Sequence, residues 1–184
     1  MSEPSLVIVV LEDDRHRMLI YRYLIKCKLK THEIRVVPAP RGAGSAESWV
    51  RKQFVEEVSA YRIRQAKAST ALIVVIDADT HTVLDRLDQL DQALRDAGKQ
   101  RIDAGTEQIA RLVPKRNVET WILCLTGQEV DEETDYKNAT DGWNKLIPQA
   151  AEALFQWTRP KAGLPSHCID SLQSGVRELN RLTL

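Results

Sequence analysis

The sequence lacks the features that mark secreted, membrane-spanning and zinc-ribbon proteins. Among 184 residues there are 3 cysteines, Cys27, Cys124 and Cys168, an odd number with no C-x-x-C pair, so neither a disulfide framework nor a zinc ribbon is expected. No apolar run approaches the roughly 20 residues of a membrane span. The N-terminal MSEPS lacks the basic segment of a secretory signal. We therefore expect a cytoplasmic protein without a membrane partner.

Net charge is also absent, because 26 Lys and Arg balance 26 Asp and Glu. The balance hides an asymmetry: residues 15–67 hold 13 Lys or Arg against 4 Glu, and residues 77–103 hold 7 Asp against 4 Lys or Arg. A basic first half points toward a nucleic-acid partner, although solvated helix faces are the simpler explanation of charge alone. With 43% apolar residues, the chain can build the core of one α/β domain.

Hydrophobic periodicity predicts strands and helices in alternation. The predicted strands are 5–14, 32–39, 70–79 and 107–117, and the predicted helices are 13–31, 46–67, 82–99 and 118–127. PRGAGSAES at 40–48 predicts a loop with Ser45 as a helix cap. This order is typical of a mostly parallel sheet of about four strands flanked by helices.

The C-terminal part of the chain has a different pattern. Residues 128–142 are acidic and polar and predict a loop, whereas 143–157 and 166–182 predict helices. We expect residues 1–127 to form the α/β domain and residues 128–184 to form a helical extension packed on the same domain.

Carboxylates follow three of the four predicted strands. Strand one ends at Glu12, strand three ends at Asp77 and Asp79, and Glu119 lies on the first turn after strand four. In an open parallel sheet, ligands bind outside the carboxyl ends of the strands. Carboxylates brought together there repel one another and are costly to bury. A divalent cation such as Mg²⁺ or Mn²⁺ is the simplest partner for them.

Helix capping is the alternative for each aspartate taken singly. Asp13 or Asp14 can cap the first helix. Asp79 stands nearer than Asp77 to the helix that begins near Thr82. Asp79 is therefore the better candidate for a cap, and Asp77 the better candidate for a metal ligand.

Two groups of basic residues are candidates for contact with phosphate. Lys115 and Arg116 stand beside Glu119, where a cation can stabilise charge that develops on a phosphate, although ordinary surface charges explain them equally well. Four residues of the first helix fall close to one line and can follow a phosphate backbone, unless they are a solvated face. These are Arg15, Arg22, Lys26 and Lys30.

The four histidines are scattered, at His16, His32, His81 and His167. They form no H-x-H or H-E-x-x-H spacing, so a zinc hydrolase is not expected. His81 can reach the site of Asp79, although a solvated residue at a helix start is the simpler interpretation.

The chain resembles the TOPRIM domain of topoisomerases, bacterial primases and overcoming-lysogenisation-defect nucleases. The resemblance rests on a first strand ending in Glu12 and on the later Asp77-x-Asp79, and it covers residues 5–125. PKRNVETWIL also resembles small stand-alone TOPRIM-like bacterial proteins, often encoded beside ATPases in defence-type gene clusters. The chain departs from many TOPRIM sequences in having Asp13, not glycine, after the glutamate, and THTV without glycine after Asp79.

The resemblance implies a Mg²⁺- or Mn²⁺-dependent nuclease that cleaves DNA or RNA as the effector of a bacterial defence system. It implies nucleic acid, an ATPase or a second copy of the chain as partners. In TOPRIM domains the glutamate is a catalytic acid/base or metal ligand, and the two aspartates hold the metal. Together with the residue patterns, this gives the expected metal ligands Glu12, Asp13, Asp77, Asp79 and Glu119. The expected catalytic residues are Glu12, Asp77, Lys115 and Arg116.

Two alternatives remain open. VIVVLEDDRHRMLIYRYL also resembles the start of a bacterial receiver domain, in which Asp13 and Asp14 would hold Mg²⁺ and Asp77 would accept a phosphoryl group. The long predicted helix at 46–67 and the lack of a predicted fifth strand argue against it. The other alternative is a TOPRIM-like module that binds a partner without cutting.

Overall fold

A computed structural model of the chain describes residues 4–40 and 45–184. Part of the predicted loop at 40–48 therefore lies outside the described residues. The strands are β1 (Leu6–Leu11), β2 (Ile34–Pro38), β3 (Thr70–Val75) and β4 (Ile109–Leu112), with a 3₁₀ turn at Thr31–Glu33 before β2. The helices are α1 (Asp14–Lys26), α2 (Ala46–Gln65), α3 (Val83–Asp96), α4 (Val118–Leu125), α5 (Trp143–Trp157) and α6 (Asp170–Asn180).

The four strands form one all-parallel sheet in the order β2-β1-β3-β4. Every residue of β3 is buried, as expected for a central strand whose sequence is a continuous apolar run rich in Val, Ile and Leu. The predicted fold class, an α/β domain with a mostly parallel sheet of about four strands flanked by helices, is confirmed.

Alternate residues of the central strands face two different helical layers. Val7 and Val9 pack in a core with α1, α4, α5 and α6, whereas Ile8 and Val10 pack in a core with α2 and α3. This alternation follows from the two-residue period of a strand. Because helices cover both faces, the carboxyl ends of the strands are where polar side chains can gather.

Helices α5 and α6 pack on the α/β core. Helix α5 lies against α1 and α4, and α6 lies against β4. Ile147 of α5 and Leu172 of α6 belong to the same apolar cluster as Val9 of β1. The described part of residues 128–184 therefore shares the core of the sheet, and a domain boundary at residue 127 stays a prediction.

Several predicted elements are longer than the observed ones. Helix α1 ends at Lys26, not at residue 31, because Cys27 closes it and Lys28 adopts a φ of 70°. Strand β3 ends at Val75, so Asp77 and Asp79 lie in the segment after the strand. Helix α3 does end before Gly98, whose φ of 66° suits a helix C-terminus.

Candidate metal centre

Side chains from three strand ends meet at the carboxyl edge of the sheet. Glu12 follows β1 directly, Asp77 lies two residues after β3, and Glu119 is on the first turn of α4. The N–H of Ala78 donates to the carbonyl of Pro114 at 2.8 Å, which holds the segments after β3 and β4 side by side. Since β3 lies between β1 and β4 in the sheet, the segments that carry Glu12, Asp77 and Glu119 lie side by side at its carboxyl edge.

His16 lies in the middle of this group. Its Nδ1 is 3.0 Å from Oδ1 of Asp13, and its Nε2 is 2.9 Å from Oδ1 of Asp77. One ligand atom each of Glu12, His16 and Asp77 lies within 4.8 Å of the other two. Asp13 also caps α1 by accepting the N–H groups of Arg15 and His16, so the predicted capping role of Asp13 is confirmed. The imidazole therefore links the capping aspartate to the aspartate after β3.

From the sequence alone, His16 was not assigned to the site. The signal was present, because His16 occupies the buried stripe of α1 that continues through Ile20 and Tyr23. A histidine on that stripe, in the first turn after a strand, has to face the carboxyl edge of the sheet. It also stands three residues after Asp13, within reach of a capping side chain.

Burial and mutual charge shift the ionisation of the group. Burial and the charge of Asp77 raise the pKa of Glu12 to about 7. Burial also raises the pKa of Asp77, although the charge of His16 opposes the rise. Burial would lower the pKa of His16, but the charge of Asp77 and hydrogen bonds to Asp13 and Asp77 raise it well above its ordinary value. Glu12 can therefore hold a proton near neutral pH.

Glu119 is buried, and Arg15 is its partner. Nη1 of Arg15 donates to Oε1 of Glu119, while the guanidinium lies 5.2 Å from the ring centroid of Trp143. Oε2 of Glu119 is buried without a hydrogen-bond partner among the described residues, as is Oε1 of Glu12. The charge of Glu119 contributes to the raised pKa of Asp77. Two carboxylate oxygens near this group therefore lack a partner.

Asp79 does not cap α3, so that sequence interpretation was wrong. Thr82 is the N-cap, and Asp85 completes a capping box with it. Asp79 instead adopts a φ of 54°, and its charge contributes to the raised pKa of Glu12. The charge of Asp79 therefore acts on Glu12, and its predicted role as a metal ligand stays a prediction.

Lys115 and Arg116 pair with the acidic segment that follows α4. Nζ of Lys115 is 3.4 Å from Glu133, and Nη2 of Arg116 is 4.0 Å from Asp135. Neither forms an ion pair with Glu12, Asp77 or Glu119. Their predicted catalytic role stays a prediction.

The four residues of the predicted basic line lie in different environments, and Lys30 lies beyond the end of α1. Arg15 is held by Glu119, and Lys26 pairs with Glu152 of α5 at 2.6 Å. Arg22 and Lys30 are exposed and form no ion pair within the described parts of the chain. Two of the four cations are therefore available at the surface without breaking an ion pair.

The group has the donor set of a metal centre. Glu12 and Asp77 offer carboxylate oxygens, His16 offers a nitrogen, and Asp79 and Glu119 add negative charge around them. Buried carboxylate oxygens without partners, such as Oε1 of Glu12 and Oε2 of Glu119, are costly, and a bound divalent cation offsets that cost. The residues present therefore fit a divalent cation.

Fold and site define an α/β domain with a histidine-containing acidic cluster at the carboxyl edge of a parallel sheet. No protein-family model and no curated protein matches the chain. Among solved structures, the chain is similar to the C-terminal region of the Burkholderia pseudomallei OLD protein, with a TM-score of 0.41 and 12% identity over 95% of this chain and 96% of that one. A likeness at this TM-score supports no conclusion about family or activity.

Within residues 4–40 and 45–184, no helix is long and apolar enough to cross a membrane.

Proposed function

We propose that the protein is a divalent-metal-dependent nuclease that cleaves phosphodiester bonds in DNA or RNA. The observation that supports the proposal is the cluster of Glu12, His16 and Asp77 at the carboxyl edge of the sheet. The charge of Glu119 acts on Asp77, and Glu12 and Glu119 each have a buried oxygen without a partner among the described residues. Such a cluster is hard to explain as a structural feature, because it raises the pKa of Glu12 and leaves hydrogen bonds unmade.

Glu12 and Asp77 are the principal ligands in this proposal, with Asp79 and Glu119 in support. A bound Mg²⁺ or Mn²⁺ supplies charge that stabilises a phosphoryl group and lowers the pKa of a bound water. Asp13 is mainly a positioning residue, since its Oδ1 accepts the N–H groups of α1 and contacts His16.

In this proposal, side chains of the protein transfer the proton and orient the phosphate. Glu12, with a pKa of about 7, can accept or release a proton near neutral pH, which suits a general base or acid. The half-buried guanidinium of Arg15 is fixed by Glu119 and Trp143, and it offers positive charge to a phosphate. Lys115 and Arg116 can do the same where their contacts with Glu133 and Asp135 open.

The substrate is nucleic acid in this proposal. Arg22 on α1 and Lys30, just beyond the end of α1, are exposed and favour contact with its backbone. The likeness of the motifs to TOPRIM proteins encoded beside ATPases supports an ATPase partner or self-association, and a role in bacterial defence. Three free cysteines fit a cytoplasmic location.

The test is cleavage of supercoiled plasmid, single-stranded DNA and single-stranded RNA with Mn²⁺, Mg²⁺ or EDTA. Asp77→Asn keeps the shape of the side chain and removes its charge, and we expect cleavage to fall at least about 100-fold, since a metal contributes several kcal/mol. Asp88→Asn, an exposed aspartate of α3, is the matched control and should cleave normally.

The other outcomes separate the alternatives. Metal-dependent cleavage that survives Asp77→Asn would contradict the role of Asp77. Absence of cleavage together with stable phosphorylation of Asp77 by a small phosphodonor would identify a receiver-like domain. Metal binding with neither activity would identify a non-cutting module.

A further inference from the structure

The imidazole of His16 is held at both of its nitrogens. Asp13 contacts Nδ1 at 3.0 Å, and Asp77 contacts Nε2 at 2.9 Å. The residue is fully buried, with 0% exposure. Its Nε2 side therefore faces Asp77, and a ligand atom of Glu12 lies within 4.8 Å of those of His16 and Asp77.

We propose that Nε2 of His16 is a ligand of the metal centre, together with carboxylate oxygens of Glu12 and Asp77. As a consequence, the centre prefers divalent first-row transition ions to Mg²⁺. This inference rests on the metal-binding part of the proposed function and specifies which class of ion the centre takes.

The distances within the cluster support a shared ion. The three ligand atoms lie within 4.8 Å of one another. Ligands on opposite sides of a cation with bonds of about 2.1 Å are roughly 4 Å apart. Closing the cluster around an ion therefore requires shifts of less than about 1 Å, which side-chain rotation provides.

Asp13 supports the same conclusion from the other side of the ring. A metal-binding histidine usually donates its second N–H to a carboxylate, which fixes the tautomer and the orientation of the ring. Asp13 is in that position, and the backbone N–H groups of Arg15 and His16 hold its Oδ1 at 2.9 and 3.1 Å. When an ion displaces the proton that Nε2 shares with Asp77, Asp13 keeps the other proton on Nδ1, and the lone pair of Nε2 binds the ion.

The nitrogen ligand decides the class of ion. Mg²⁺ prefers oxygen ligands, whereas imidazole nitrogen raises the affinity for ions along the series from Mn²⁺ through Co²⁺ to Ni²⁺. The unpartnered oxygens of Glu12 and Glu119 add charge for any divalent ion and do not discriminate among them. Preference among ions is therefore assigned to His16.

The competing interpretation makes His16 a permanent cation that neutralises Asp77 and Asp13. The two interpretations differ in selectivity. Replacing a neutralising or structural histidine changes the affinity for all divalent ions by a similar factor, because such a residue acts on the total charge or on the shape of the site. Replacing a histidine ligand weakens the binding of nitrogen-preferring ions much more than that of Mg²⁺.

The first experiment is calorimetric titration of the metal-free protein with MgCl₂, MnCl₂ and CoCl₂. His16→Gln keeps a polar group near Asp77 without the imidazole, and exposed His81→Gln, near Asp79, is the control. We expect His16→Gln to weaken Co²⁺ binding at least about tenfold and Mg²⁺ binding less than about threefold. Equal losses for both ions would overturn the inference, as would wild-type Mg²⁺ affinity equal to that for Co²⁺.

The second experiment needs no change at His16, so it stands even where His16→Gln does not fold. Pulsed electron paramagnetic resonance of the Mn²⁺-loaded wild-type protein should show ¹⁴N modulation from a coordinated imidazole, and His81→Gln should keep it. Bound Mn²⁺ without ¹⁴N coupling would overturn the inference. Neither readout requires cleavage, so a protein that binds metal through nitrogen but cuts nothing would contradict the nuclease proposal alone.

Discussion

The guanidinium of Arg86 lies 3.4 Å from the carbonyl oxygen of Ala78, the residue between Asp77 and Asp79. Arg86 belongs to α3 and is 1% exposed, and it also donates to Glu47 of α2 and to Gln89. A buried cation thus stands behind the segment that carries both aspartates. It connects that segment to two helices.

We expect Arg86→Met to destabilise the protein by about 3 kcal/mol, because it breaks a buried ion pair. Metal affinity should fall as well, since Ala78 loses a contact that positions the neighbouring aspartates. Urea unfolding and calorimetric titration measure the two effects. Arg95→Met, an exposed arginine of the same helix, is the control, and equal behaviour of the two variants would contradict the role of Arg86.

Glu12 makes the stability of the metal-free protein depend on pH. Its pKa in the folded protein, about 7, exceeds its ordinary value of 4.5, so the folded state binds the proton more tightly than the unfolded state does. The resulting stabilisation is present below about pH 4.5 and is lost as pH rises through about 7. The loss is on the order of 3 kcal/mol, since each pKa unit between 4.5 and about 7 corresponds to about 1.4 kcal/mol.

Glu12→Gln should therefore lose less stability than the wild type between pH 5 and pH 8, although it loses metal-dependent activity. Urea unfolding in EDTA across that range measures the difference. A part of the pH dependence should remain, because the raised pKa of His16 acts in the same direction. Parallel curves of stability against pH for the two proteins would show that the pKa of Glu12 is not raised in the folded protein.

Gly175 of α6 allows that helix to approach α4. A Cβ at this position would lie 2.3 Å from Cη2 of Trp121. We expect Gly175→Ala to destabilise the protein by about 1–3 kcal/mol, as overpacking of a core does. Gly163→Ala, where a Cβ meets nothing within 4 Å, is the control in the same denaturation experiment. A stable Gly175→Ala variant would mean that α6 packs less closely than described.

The exposed cations Arg22 of α1 and Lys30, just beyond the end of α1, should contribute to the binding of nucleic acid. In an Asp77→Asn background, replacing Arg22 and Lys30 with glutamine should weaken binding about equally for all sequences. Each replacement should reduce the slope of log affinity against log salt by about 1. Fluorescence anisotropy over a salt series measures this. Lys99→Gln, exposed beyond α3 in the opposite layer, should leave the slope unchanged. An unchanged slope for the Arg22 and Lys30 variants would exclude this surface.

The order of the elements could be predicted from local patterns, because buried strands and amphipathic helices have different hydrophobic periods. The ends of the elements could not. Helix α1 stops where Lys28 takes up a left-handed conformation, and β3 stops two residues before Asp77. These ends depend on hydrogen bonds with neighbouring strands and on backbone angles that no periodic pattern encodes.

By itself, the sequence determined that carboxylates follow three strands of a parallel sheet, and parallel strands bring such residues to one edge. Only the tertiary structure decided which other groups join them. His16 meets Asp77 across 61 positions of the chain, and Arg15 meets Glu119 across 104. Both contacts arise because α1 packs beside the strand ends, so its first turn faces the carboxylates. The helical packing that buries the apolar stripe of α1 also places a histidine and an arginine among these acids.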